Sequence, residues 1–111
     1  MSLNIDSSSQ GNSARIKLVG EVDGTTAPTF RAEVDKLLAS APSILVLDVE
    51  QLTFMSSAGL RVLIFAKQKQ PRLAIYVLKP QAPILDTLHK TGFYDGVYVT
   101  DAEPDTGTTT A

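Results

Sequence analysis

Two adjacent hydroxyls, Ser56 and Ser57, stand where an apolar run gives way to a segment with helical spacing. A serine in that place has three chemical uses: nucleophile, helix cap, or acceptor of a phosphoryl group. Nucleophilic use fails on its motif, because Met55 stands where the first glycine of a Gly-x-Ser-x-Gly elbow would precede Ser57. The only histidine, His89, falls late in the third predicted helix beside Lys90, where a half-exposed imidazole suits the helix dipole. Glu21 and Asp23 lie two apart in a predicted loop and Asp48 ends a strand, a spacing that suits turn chemistry better than an acid–base pair or an oxygen-ligand set. There is no cysteine, which excludes disulfides, thiolate metal sites and thiol catalysis. No Gly-rich phosphate loop or dinucleotide fingerprint is present. The chain is therefore expected to be no enzyme and to carry no cofactor and no metal. Capping and phosphoryl acceptance both remain open for the two serines.

The elements that must position these serines follow from periodicity. Leu3 to Asp6 and Ala14 to Gly20 alternate as strands, and Ser7 to Ser13 reads as the turn between them. Gly20 to Thr26 reads as a loop. Pro28 then suits the first turn of a helix, with a preceding threonine hydroxyl as its cap. Phe30, Val34, Leu37, Leu38 and Ala41 give that helix its apolar face, and Pro42 ends it. Ser43 to Val49 is nearly continuous apolar sequence, as in a strand covered on both faces, and Leu52 to Met55 reads as a short connection. The second helix opens at Ser56–Gly59 and stops before Pro71, with Lys67 and Lys69 in its last turns. Leu73 to Leu78 is a further strand. Pro80 and Pro83 introduce a third helix whose Gly92 fits a left-handed end, with Phe93 and Leu88 placed for the apolar contact of a Schellman cap. Val97 to Thr100 closes the pattern. The order β-β-α-β-α-β-α-β predicts an α/β fold, a small mixed sheet with helices packed on it. Residues 1–100 form one domain, and 101–111, acidic and Thr-rich, are expected to be a disordered tail.

Bulk composition narrows the partners. The 111 residues are 43% hydrophobic and 20% charged, ordinary for one soluble domain. The net charge of −2 argues against nucleic acid or anionic lipid as a partner. Seven acids against four bases occupy residues 1–60, and six bases against two acids occupy 61–95, but no aromatic interleaving makes the basic part a nucleic-acid face. No apolar run is long enough to insert in a membrane, and the first residues do not form a signal peptide, so a cytoplasmic location is expected.

Four stretches then carry a family resemblance. They are Gly20-Glu21-Val22-Asp23 with Thr26-Ala27-Pro28; Leu45-Val46-Leu47-Asp48; Phe54-Met55-Ser56-Ser57-Ala58-Gly59-Leu60; and Thr91-Gly92-Phe93. From about Ala14 to Val99 the chain resembles the STAS domain of bacterial anti-sigma factor antagonists. In that family the third stretch usually reads Phe-Met-Asp-Ser-Ser-Gly-Leu, and the serine after the aspartate is phosphorylated. Here that serine is Ser57; Ser56 replaces the aspartate and becomes a second possible acceptor, and Ala58 replaces the next serine. The second helix is about one turn shorter than the family usually shows.

The resemblance implies partner switching. The unmodified domain would bind an anti-sigma factor with serine-kinase activity and free the sigma factor. Phosphorylation of Ser57 would reverse this, and a serine phosphatase would reset it. The implied contact set is Asp23, Thr25, Thr26, Phe54, Met55, Ser56, Ser57, Gly59, Leu60, Arg61 and Ile64, on a protein that is a monomer when free. Other roles of the same fold are a subunit of a lipid-transport or stressosome-like complex; a small hydrolase is disfavoured by the missing motifs. One consequence is independent of function: deleting residues 102–111 should change unfolding free energy by less than about 0.5 kcal/mol. A larger loss in chemical denaturation would show that the tail docks.

Overall fold

The computed structural model of the chain describes residues 2–102. A hairpin opens the fold, with strands β1 (Leu3–Gln10) and β2 (Ser13–Val22) joined at Gly11 and Asn12. Helix α1 (Ala27–Leu38), strand β3 (Ile44–Met55), helix α2 (Ser57–Lys69), strand β4 (Ala74–Leu78), helix α3 (Ala82–Thr91), one 3-10 turn (Phe93–Gly96) and strand β5 (Tyr98–Thr100) follow. The strands lie in chain order across one sheet, β1-β2-β3-β4-β5. The first pair is antiparallel and the other three are parallel, so the α/β mixed sheet is as expected.

Each crossover steps one strand in the same direction. Right-handed crossovers of that kind put every helix on one face of the sheet. The buried side chains agree, because Phe30 and Val34 of α1, Leu60 and Leu63 of α2, and Ile84 and Leu88 of α3 share one core with Ile16, Leu18, Leu45, Leu47, Ile75 and Val77. The opposite face has no helix among the described residues, yet Val46 and Leu78 are buried there. Their cover is lateral: Arg15 and Tyr76 stand in register beside Val46, Arg15 pairs with Asp48 at 3.0 Å, and Tyr76 stacks on Tyr98 at 5.0 Å between centroids. The run Leu45–Val49 is thus buried on both faces, but long neighbouring side chains replace the second helical layer.

Several boundaries differ from the sequence reading. β1 continues through Ser7–Gln10, because Ser7 faces α1, where its hydroxyl donates to Glu33, and the next three residues are exposed. β2 runs to Val22 and β3 to Met55, so Gly20–Val22 and Leu52–Met55 are strand, not loop. Register shifts between Lys17 and Val19 and between Gly20 and Glu21 mark bulges, which break the period of two. α1 ends at Leu38, and Ala41 lies beyond it, exposed, with φ of 51°. The third helix ends as expected, with Gly92 at φ 78° and its N–H donating to His89 C=O at 3.1 Å. The N–H of Phe93 turns to the Thr91 hydroxyl at 3.4 Å, while its ring packs against the core. The tail reading falls largely on 103–111, outside the described residues.

Phe30 ties α1 to the sheet from a fully buried position. Phe30→Ala should therefore cost about 3–5 kcal/mol in chemical denaturation. A cost under about 1 kcal/mol would mean that α1 is not held by this side chain.

Candidate functional site

Because β2, β3 and β4 are parallel, the loops that leave them meet at one edge of the sheet. The ends of β2 and β3 are clamped together there by a hydrogen bond from Ser56 N–H to Val22 C=O at 2.8 Å. Just beyond, α2 begins. Gly59 sits so close to the sheet that a Cβ on it would stand 2.7 Å from both Met55 Cγ and Val22 Cγ1. Only glycine lets the first turn of α2 lie directly on the strand ends.

The two serines separate into different roles. Ser56 is the N-cap, extended at ψ 176°, and its hydroxyl accepts from Ala58 N–H at 3.2 Å. Ser57 is the first residue of the helix and is exposed; its hydroxyl has no hydrogen bond among the described residues. The cap expected of the helix start therefore belongs to Ser56, and the free hydroxyl belongs to Ser57.

The loop Asp23–Thr26 leaves β2 at the same edge. The carboxylate of Asp23 accepts from Thr25 N–H at 2.8 Å, Thr25 Oγ1 at 2.7 Å and Thr26 N–H at 3.1 Å. These bonds, from the Thr25 hydroxyl first and the Thr25 amide next, hold the carboxyl below the usual aspartate range against the opposing effect of burial. Thr26 stands at the N-cap of α1 without capping it through its side chain. Instead Thr26 Oγ1 donates to Glu21 C=O at 2.9 Å and accepts from Asp23 N–H at 2.9 Å. The expected threonine cap is thus replaced by an aspartate that ties up the loop amides.

Of the expected contact residues, Phe54 (41% exposed), Ile64 (39%) and Arg61 reach the surface with Ser57 and Thr25. Met55, Gly59 and Leu60 do not: they are buried and shape the surface from beneath. Their expected contact role gives way to packing, since Met55 points inward from its bulged strand. Sequence reasoning missed Arg31. It lies over the Phe65 ring at 4.1 Å and, with Arg61, Gly24, Ala27, Pro28 and Ala58, lines a cleft of about 300 Å³ between the starts of α1 and α2. The signal was available: Arg31 follows the buried Phe30 directly and so lies off the buried stripe of α1. His89 is exposed on the last turn of α3, stacked on Tyr94 at 4.1 Å, at the opposite end of the sheet from Ser57. A Ser57–His89 pair is therefore excluded by topology.

Two measurements check this arrangement. Ser56→Ala should cost about 1 kcal/mol of stability and Ser57→Ala less than about 0.5; equal costs would contradict the division of roles. Because the Asp23 carboxyl titrates lower in the folded protein than in the unfolded chain, its stabilising effect is complete above the unfolded value of about 3.9 and is lost as pH falls through the lower, folded value. The Thr25 and Thr26 amide resonances should titrate together in that acid range and be flat in Asp23→Asn; a flat wild type would deny the hydrogen bonds.

Solved structures share this architecture. An anti-sigma factor antagonist from Mycobacterium paratuberculosis is similar, with a TM-score of 0.83 at 22% identity over 96% of this chain and 92% of that one. The anti-sigma factor antagonist SpoIIAA in its unphosphorylated form gives 0.74 at 18% identity over 86% and 87%. The Bacillus cell fate determinant SpoIIAA in its phosphorylated form gives 0.65 at 17% over 88% and 90%. At these identities the likeness establishes the fold. The family model for the STAS domain matches residues 4–106, nearly the whole chain, and the chain belongs to the STAS domain family.

Proposed function

We propose that this protein is an anti-sigma factor antagonist that works by partner switching. In its unmodified form it binds an anti-sigma factor with serine-kinase activity and releases the sigma factor. The kinase transfers the γ-phosphoryl group of ATP to Ser57 and is expelled, and a serine phosphatase restores the hydroxyl. The protein acts in the cytoplasm, is a monomer when free, and performs no catalysis itself.

The observation that carries this reading is the free, exposed Ser57 hydroxyl at the start of α2, beside the Asp23–Thr26 loop. Ser56 is occupied as a cap, which favours Ser57 over its neighbour as acceptor. Phe54 and Ile64 add exposed apolar area to the same end of the molecule, and Arg61 adds a charge. A phosphate there brings about −1.5 to −2 charges into a surface that a partner would desolvate. Negative charge that the partner does not match costs several kcal/mol to desolvate, enough to reverse binding without refolding the antagonist. The similar structures include an anti-sigma factor antagonist from Mycobacterium paratuberculosis and SpoIIAA in its unphosphorylated and phosphorylated forms.

Phosphopeptide mapping after reaction with the cognate kinase and ATP tests the assignment. Wild type and Ser56→Ala should carry the phosphate on Ser57, and Ser57→Ala should carry none while still binding the kinase. Phosphate on Ser56 alone, or equal labelling of all three proteins, would overturn it. Ser57→Asp should fold and bind at least about tenfold more weakly, the carboxylate being an incomplete mimic.

A further inference from the structure

The cleft between the starts of α1 and α2 holds two arginines on an otherwise small-residue wall. Arg31 is engaged by the Phe65 ring. Arg61 is exposed and makes no hydrogen bond or ion pair among the described residues. It follows Ser57 by four residues on the same helix, so the two side chains are neighbours on one face. The order, with the anion N-terminal to the cation, is the favourable one for such a pair.

We infer that a phosphate carried on Ser57 is bound in cis by the Arg61 guanidinium at the mouth of this cleft, with Arg31 as a more distant second cation. Arg61 then serves two states. With Ser57 unmodified, the guanidinium is available to an acidic group on the partner. Once Ser57 carries a phosphate, its oxygens take the guanidinium, because a planar two-donor group and a phosphate dianion make the stronger charge-assisted pair. Phosphorylation thus removes a cation from the contact surface as well as adding an anion. The acidic residue on the loop beside the cleft, Asp23, is already committed to Thr25 and Thr26 and does not compete for Arg61.

This rests on Ser57 as the acceptor, so the test places phosphoserine at position 57 during translation and needs no kinase. The failure of kinase mapping and the failure of this inference are then distinct results. Phosphorus NMR follows the second ionisation of the phosphoserine, about pH 6 for an exposed group. In the otherwise wild-type protein it should lie about 0.5 pH unit below that in Arg61→Gln, and Arg61→Lys should recover most of the shift. Lys67→Gln, a charge change in the last turns of the same helix, should leave it in place. Arg61 is on the surface, so its variants are expected to keep the wild-type amide spectrum outside the first turns of α2. The same ionisation in wild type and Arg61→Gln, or an equal shift from Lys67→Gln, would overturn the inference.

Discussion

The approach of Gly59 to Val22 and Met55 is the constraint on which the rest of the site depends. It sets the first turn of α2 on the ends of β2 and β3, where the Ser56–Val22 hydrogen bond already joins them. With the helix start fixed, Ser56 must spend its hydroxyl on the cap, and Ser57 is left facing water. A Cβ at position 59 would lift that turn, because the two atoms it meets belong to side chains buried in a close-packed core. The exposed features around Ser57, namely Phe54, Arg61 and Ile64, take their places from the same seat.

The sheet explains why one edge collects these features. Parallel strands with successive crossovers bring the β2–α1 and β3–α2 connections to the same end, and the helices return their own far ends, including His89, to the other. A one-sided helical layer leaves the opposite face of the sheet to be protected by Arg15, Asp48, Tyr76 and Tyr98. Binding at the Ser57 edge therefore need not disturb the core, which lies between the sheet and the helices. That separation leaves the surface around Ser57 independent of the packing that holds the fold.

The strong elements were legible in the sequence. Phe30, Val34, Leu37 and Leu38 are buried as the helical period requires, and Gly92 takes the left-handed position that its place after α3 predicted. What escaped was regular structure hidden by irregular pairing. The bulges in β3, opposite β2, break the alternation, so Leu52 and Met55 did not read as strand although both are buried. Ser7 to Gln10 read as a turn because an edge strand can be polar where it faces water. At the site, spacing located the serine pair but could not divide it, since the capping hydroxyl and the exposed one differ only by the backbone geometry at Ser56. The inward turn of Met55 was equally invisible, because it depends on the register set by the bulges.

In the proposed function, one covalent group at Ser57 governs a binding equilibrium. Isothermal titration of the cognate kinase-fold anti-sigma factor with this protein, unmodified and then carrying phosphoserine at position 57, addresses it most directly. The unmodified protein should bind tightly and the phosphorylated one at least about a hundredfold more weakly, with both giving the same secondary structure by circular dichroism. Equal affinities in the two forms would contradict it.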